Sequence, residues 1–123
     1  MTREEILRME AGSELDQLIA ERVMEWKEGQ KTLLSRRCGV GILGEKALPR
    51  YSTDIAAAWE AVEALREKEF VIDILGSLED FIVKIWNENE SEGLSIAKAS
   101  AEQAPLAICR AALLAVMEAG HAK

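Results

Sequence analysis

The side chains able to do chemistry are few and scattered. His121 is the single histidine, so a multi-histidine metal centre is excluded, and a Cys–His couple would need the C-terminal tail folded over a site. Cys38 and Cys109 are the two cysteines. In a reducing cytosol they are expected as free thiols. Cys109 sits in an apolar helical run and reads as a small core residue. Cys38 follows Arg36 and Arg37, whose charge would lower a thiol pKa, although an inert Cys38 is the simpler reading. Carboxylate neighbours such as Glu4 and Glu5, and the acids between 87 and 92, fall on expected solvent faces. No general acid–base couple stands out. The residues therefore predict no enzyme, no metal and no cofactor.

The cations are more suggestive. Lys31, Arg36, Arg37, Lys46 and Arg50 stand against Glu45 alone in residues 29–50, on a chain whose net charge is −7. Such a basic stretch on an acidic body either gathers a small anion or simply keeps a loop soluble. Within it Gly39-Val-Gly-Ile-Leu-Gly44 spells G-x-G-x-x-G. A dinucleotide site would need a buried strand before these glycines and a helix after them. Arg36-Arg37 and Pro49 occupy those places, which leaves a flexible tip or an anion nest of free amides. Arg110 lies about 70° from the centre of an apolar helical stripe, taking ~100° per residue. Three roles are open to it: snorkelling to solvent, pairing with an internal acid such as Asp54, or holding a phosphate. Trp26, Trp59 and Trp86 fall on three different elements. The first two fit core stripes, while Trp86 ends a strand and either packs at a rim or stacks on a ligand.

These residues must be positioned by elements that the pattern makes legible. Thr2 and Glu5 form a capping box ahead of Ile6, Leu7 and Met9. Gly12 offers a stop and Ser13 with Asp16 a restart. Leu15, Leu18, Ile19, Val23 and Trp26 then recur at helical spacing over residues 13–27. Ser52-Thr53-Asp54 is read as the start of a second major helix with Ile55, Ala58, Trp59, Val62 and Leu65 as its buried stripe, and Tyr51 stapled on Ile55. Phe70 to Leu75 and Phe81 to Asn87 are β-rich and flank Gly76-Ser-Leu-Glu-Asp80, which predicts a hairpin. Setting Asp73 opposite Lys84 places the one charge of each strand on a shared face. Leu94 to Ala99 alternates as a short third strand. Pro105 then opens a last helix with Leu106, Cys109, Leu113, Val116 and Met117 as its stripe and Gly120 as its C-cap.

Composition sets the class. A chain of 123 residues, 49% apolar and 30% charged, is the size of one globular domain. The prediction is a single α/β domain over 1–123: a small antiparallel sheet, two long strands plus a short third, between helical layers, with 29–50 as a basic Gly-rich arm. No apolar run is long enough to span a bilayer, and the opening Met1-Thr-Arg-Glu-Glu is unlike a secretion signal. A cytoplasmic protein is expected, without membrane or nucleic-acid partners, since phosphate attraction dominates nucleic-acid affinity and the chain is acidic. Helix, three strands and helix over 52–118 copy the order of a double-stranded-RNA module, but Ala101-Glu-Gln-Ala-Pro replaces the lysines such a module needs. A homo-oligomer is expected, because Ile6, Leu7 and Met9 on one short helix exceed what a monomer buries.

Two long motifs carry a resemblance. Tyr51-Ser-Thr-Asp-Ile-Ala-Ala-Ala-Trp59 and Ala101-Glu-Gln-Ala-Pro-Leu-Ala-Ile-Cys-Arg-Ala-Ala-Leu113, with Met1-Thr-Arg-Glu-Glu-Ile and Met9-Glu-Ala-Gly12 before them, resemble the phage ABA-sandwich domain family over roughly 1–27 and 48–118. The resemblance implies a small phage or prophage protein with helices on both faces of a sheet, working in the host cytoplasm. It implies no activity and no site residue. Phage origin, size and the basic arm together favour a non-enzymatic sponge that sequesters a cyclic nucleotide or other nucleotide-derived signal of host immunity. Arg36, Arg37, Arg50 and Arg110 would hold phosphates, and Tyr51 or Trp86 would stack on a base. The alternative is an adaptor or inhibitor that acts on a host protein through an acidic surface.

Overall fold

The computed structural model describes residues 2–25, 48–87 and 97–121. The basic arm with Arg36, Arg37, Cys38 and the glycine run, together with Trp26 and the acidic turn after Asn87, lies outside these described residues, as do Leu94, Ser95 and Ile96 of the expected third strand. Two short N-terminal helices, α1 (Arg3–Arg8) and α2 (Ser13–Leu18), lead into a π-helical turn, Ile19–Val23. Helix α3 (Ile55–Glu67), strands β1 (Phe70–Gly76), β2 (Phe81–Asn87) and β3 (Ala97–Ala101), and helix α4 (Ala104–His121) follow.

Local chemistry explains most boundaries. The Thr2 hydroxyl accepts from Glu5 N at 3.2 Å while the Glu5 carboxylate accepts from Thr2 N at 3.4 Å, so the capping box forms as expected. Asp54, not Ser52, caps α3, its side chain accepting from Ala56 N at 3.1 Å. The strands pair antiparallel in the order β1-β2-β3, with Asp73 opposite Lys84. The turn between them closes through Ser77, whose amide donates to Asp80 O at 2.8 Å. The last helix runs through Gly120 to His121, so the expected C-cap at Gly120 does not form.

The core gathers around α4. Ala107, Ile108, Cys109, Ala111, Ala112, Leu114 and Ala115 are each 1% exposed or less, so the helix is apolar nearly all round and buried on nearly every side. It packs on β2 and β3, on α3, on the π-helical turn and on α1. The sheet face that meets these helices holds Val83, Ile85, Ala97 and Ala99, all buried. Ile6 is buried as well, and Leu7 and Met9 pack partly against this core. One chain thus buries Ile6 fully and Leu7 and Met9 in part.

One buried polar contact ties the N-terminal layer to the rest. Asp16 and Ser52 are buried. The Asp16 carboxylate accepts from the Ser52 amide at 2.8 Å and from its hydroxyl at 2.6 Å. The Ser52 hydroxyl oxygen in turn accepts from Gly12 N at 3.0 Å. Asp16 was expected as a restart signal for α2 and Ser52 as a helix cap; both are spent on each other instead. Hydrogen bonds to a charged group contribute about 1.5–3 kcal/mol each, and an orphaned buried partner costs a similar amount. Ser52→Ala is expected to lower the unfolding free energy by about 2–3 kcal/mol, and Asp16→Ala by at least as much. Urea unfolding followed by circular dichroism checks this; a change within ~0.5 kcal/mol, typical of a surface substitution, would contradict it.

Candidate functional site

Helix α3 turns a different face inward from the one its apolar spacing suggests. Ala57, Ala58, Ala61, Val62 and Leu65 are buried, whereas Ile55 is 51% and Trp59 48% exposed. The cause is the neighbour. Where two helices approach closely, small side chains must occupy the contact, and α4 offers its alanines to α3. An indole does not fit between them, so Trp59 is displaced outward, with Ile55 one turn before it on the same side.

Trp59 stands between two open grooves. One, of about 460 Å³, lies between α3 and β1 and is lined by Val62, Arg66, Phe70, Ile72 and Ile74. The other, of about 520 Å³, runs between α3 and the end of the π-helical turn. Glu25, Glu60, Glu63 and Glu67 line it with one ammonium, that of Lys68. Lys68 is held at 2.8 Å from Glu25 and donates to Val23 O at 2.9 Å. Arg66 is held by Glu63 at 3.1 Å. The cations beside the indole are thus already engaged, while the groove keeps an excess of carboxylates. Sequence reasoning placed Trp59 in the core; the run of alanines on both helices was the signal that a close helix contact would exclude it.

The residues expected to hold a nucleotide do not form one site in the described part of the chain. Arg36 and Arg37 lie outside it. Arg50 is exposed, and its carbonyl accepts from the amides of Thr53 at 3.1 Å and Asp54 at 2.9 Å. With Ser52 N on Asp16, the amides expected to be free near Ser52 are taken. Tyr51 is 1% exposed and unavailable for stacking on a base; the chain after Arg50 turns into the core there. Trp86 is half-buried on the sheet, opposite Val71.

Arg110 is half-buried at the edge of α4 and is bonded to backbone carbonyls, not to the expected acid Asp54. Its Nε donates to Met9 O at 2.8 Å and its Nη1 to Ser100 O at 2.9 Å. It therefore clamps the end of α1 to β3. The open cavity beside it, about 430 Å³, carries Glu10, Asp80 and Glu102, which would repel a phosphate. Neither Arg50 nor Trp86 lines that cavity. Desolvation lowers the Arg110 pKa from its ordinary value and Glu10 partly offsets this. Cys109 is fully buried, and burial pushes its thiol far above the ordinary range, with Asp16 acting in the same direction. Among the described residues no group of three or more His, Cys, Asp or Glu is placed to hold a metal ion, and no helix is long and apolar enough to cross a membrane.

A model of the phage ABA sandwich domain matches residues 17–113. The span takes in α3, the sheet and most of α4. It starts after the opening motifs that resembled the family and runs on across the basic arm. No curated protein and no solved structure matches the chain.

Two outcomes follow from this geometry. Arg110→Ala should lower the unfolding free energy by about 1–3 kcal/mol, and Arg110→Lys by less, because the lysine keeps one donor; thermal melts of both variants decide it. Cys109 should resist a disulfide reagent in the native protein and react once urea unfolds it. The unfolded thiol ionises in its ordinary range and the folded one does not. Stability from this group is therefore fully present below ~pH 8.5 and declines as pH rises beyond it.

Proposed function

We propose a binding function on this premise: the chain belongs to the phage ABA sandwich domain family, and so is a small phage-type protein. In our reading it acts without catalysis, in the host cytoplasm, as an adaptor or inhibitor that grips a Lys- or Arg-bearing segment of a host protein. The observation that carries this is Trp59, 48% exposed beside Ile55 and a groove with four carboxylates. Tryptophan is among the residue types most enriched where binding energy concentrates. An indole face next to carboxylates suits a cation stacked on the ring, a contact of about 0.5–2 kcal/mol. The net charge of −7 would steer a basic partner toward the protein.

The nucleotide-sponge reading draws less support. Tyr51 is buried, the amides near Ser52 are bonded, and Arg110 is committed to two carbonyls beside three acids. What remains for it is Arg50, Trp86 and the arm with Arg36 and Arg37.

Affinity capture from host lysate, with the wild type and Trp59→Ala side by side, tests the proposal. Trp59 is exposed, so the variant should fold normally. One host protein should be retained by the wild type at low salt, with retention falling about tenfold or more for Trp59→Ala and at high salt. Equal retention by both forms would sink the assignment of the face. No retained protein, with tight calorimetric binding of a cyclic di- or trinucleotide or a cyclic ADP-ribose isomer weakened by Arg50→Ala, would establish the sponge instead.

A further inference from the structure

The sheet has a second face whose pattern is complementary to itself. The register pairs Val71 with Trp86, Asp73 with Lys84 and Leu75 with Ile82, and extends to β3 by setting Lys84 beside Lys98 and Ile82 beside Ser100. Side chains alternate along a strand, so these residues share the face opposite the buried Val83, Ile85, Ala97 and Ala99. Among the described residues, the helical contacts of the sheet, α4 on β2 and β3 and α3 on β1, belong to the core face. On the second face Val71, Ile82 and Trp86 are half-buried and Leu75 is 45% exposed. Asp73 and Lys84 are half-buried at its centre, and no ion pair joins them among the described residues. Two opposite charges thus sit side by side in an apolar frame, in reach of water and of a further charged partner.

We propose that this face binds a second copy of the chain, with a two-fold axis parallel to the strands and midway between β1 and β2. That rotation sets β1 of each protomer over β2 of the other. Asp73 then meets Lys84 of the second copy, twice. Small Val71 meets large Trp86, and Leu75 meets Ile82. No like charges and no bulky pair coincide, as an isologous contact requires. Lys98 and Ser100, both exposed on β3, fall outside the overlap as a polar rim. Sheets packed face to face lie about 10 Å apart, which these side chains fill. The overlap is small, about 15 by 20 Å from strand spacing and rise, so the dimer forms in the micromolar range and not below it.

Light scattering at tens of micromolar should give twice 13.6 kDa for the wild type. Leu75→Glu, a change at an exposed position, should return the mass to a single chain. Lys84→Glu and Asp73→Lys should each be monomeric while keeping the wild-type circular dichroism, because each sets like charges across the axis. Mixed in equal amounts, these last two should recover the dimer mass, since one protomer then offers two cations and the other two anions. Mixing cannot repair a contact within one chain, so recovery separates an interface from a folding defect. A wild type of single-chain mass overturns the proposal, and with Trp86 shielded from a soluble quencher it would mean that the chain covers this face itself. A dimer indifferent to Leu75→Glu, or two variants that stay monomeric on mixing, overturns it equally.

Discussion

The structure depends on the burial of one helix. From Ala107 to Ala115 every residue of α4 except Arg110 is buried. A helix so enclosed must be apolar on all sides and small where its neighbours come closest. The elements packed on α4, namely α3 and β3, are themselves rich in buried alanines. Arg110 leaves this enclosure at its edge, where the carbonyls of Met9 and Ser100 accept from its guanidinium. An arginine in an apolar run thereby becomes a clamp between elements.

A second constraint joins the N-terminal layer to this centre. Asp16 reaches Ser52 across the start of α3, and Gly12 lies against the same hydroxyl. A carboxylate taken from water must be met by donors, and Ser52 supplies both its amide and its hydroxyl. This contact explains why the segment entering α3 turns inward and carries Tyr51 into the core. It also explains why the caps predicted at Ser13 and Ser52 give way to a tertiary bond. Local capping and tertiary bonding compete for the same side chains, and burial decides in favour of the tertiary one.

These two constraints shape the surface. The close approach of α3 to α4 leaves no room for Trp59, which stands out beside a groove rich in carboxylates. Enclosing α4 uses one face of the sheet; among the described residues, the other face holds apolar side chains framing two charges. The molecule thus presents two surfaces of different chemistry, an acidic helix face and a mixed sheet face.

Much of this was legible in the sequence because the signals were local. The capping box of Thr2 and Glu5 lies within one helical turn. The hairpin and its register follow from a two-residue period, since moving either strand by one position would send Asp73 and Lys84 to opposite faces. The family motifs at 51–59 and 101–113 lie within the matched span and on the elements that build the core. The inward face of α3 was not legible, because apolar spacing admits two overlapping stripes and only the approach of α4 selects the one made of alanines. The partners of Arg110 and Asp16 were not legible either. Both are met by groups far along the chain, Met9 for the one and Ser52 for the other, and no spacing rule spans such separations. A sequence records which side chains prefer water and how they alternate; which neighbour each one meets is decided when the layers close and every buried polar group must find a partner.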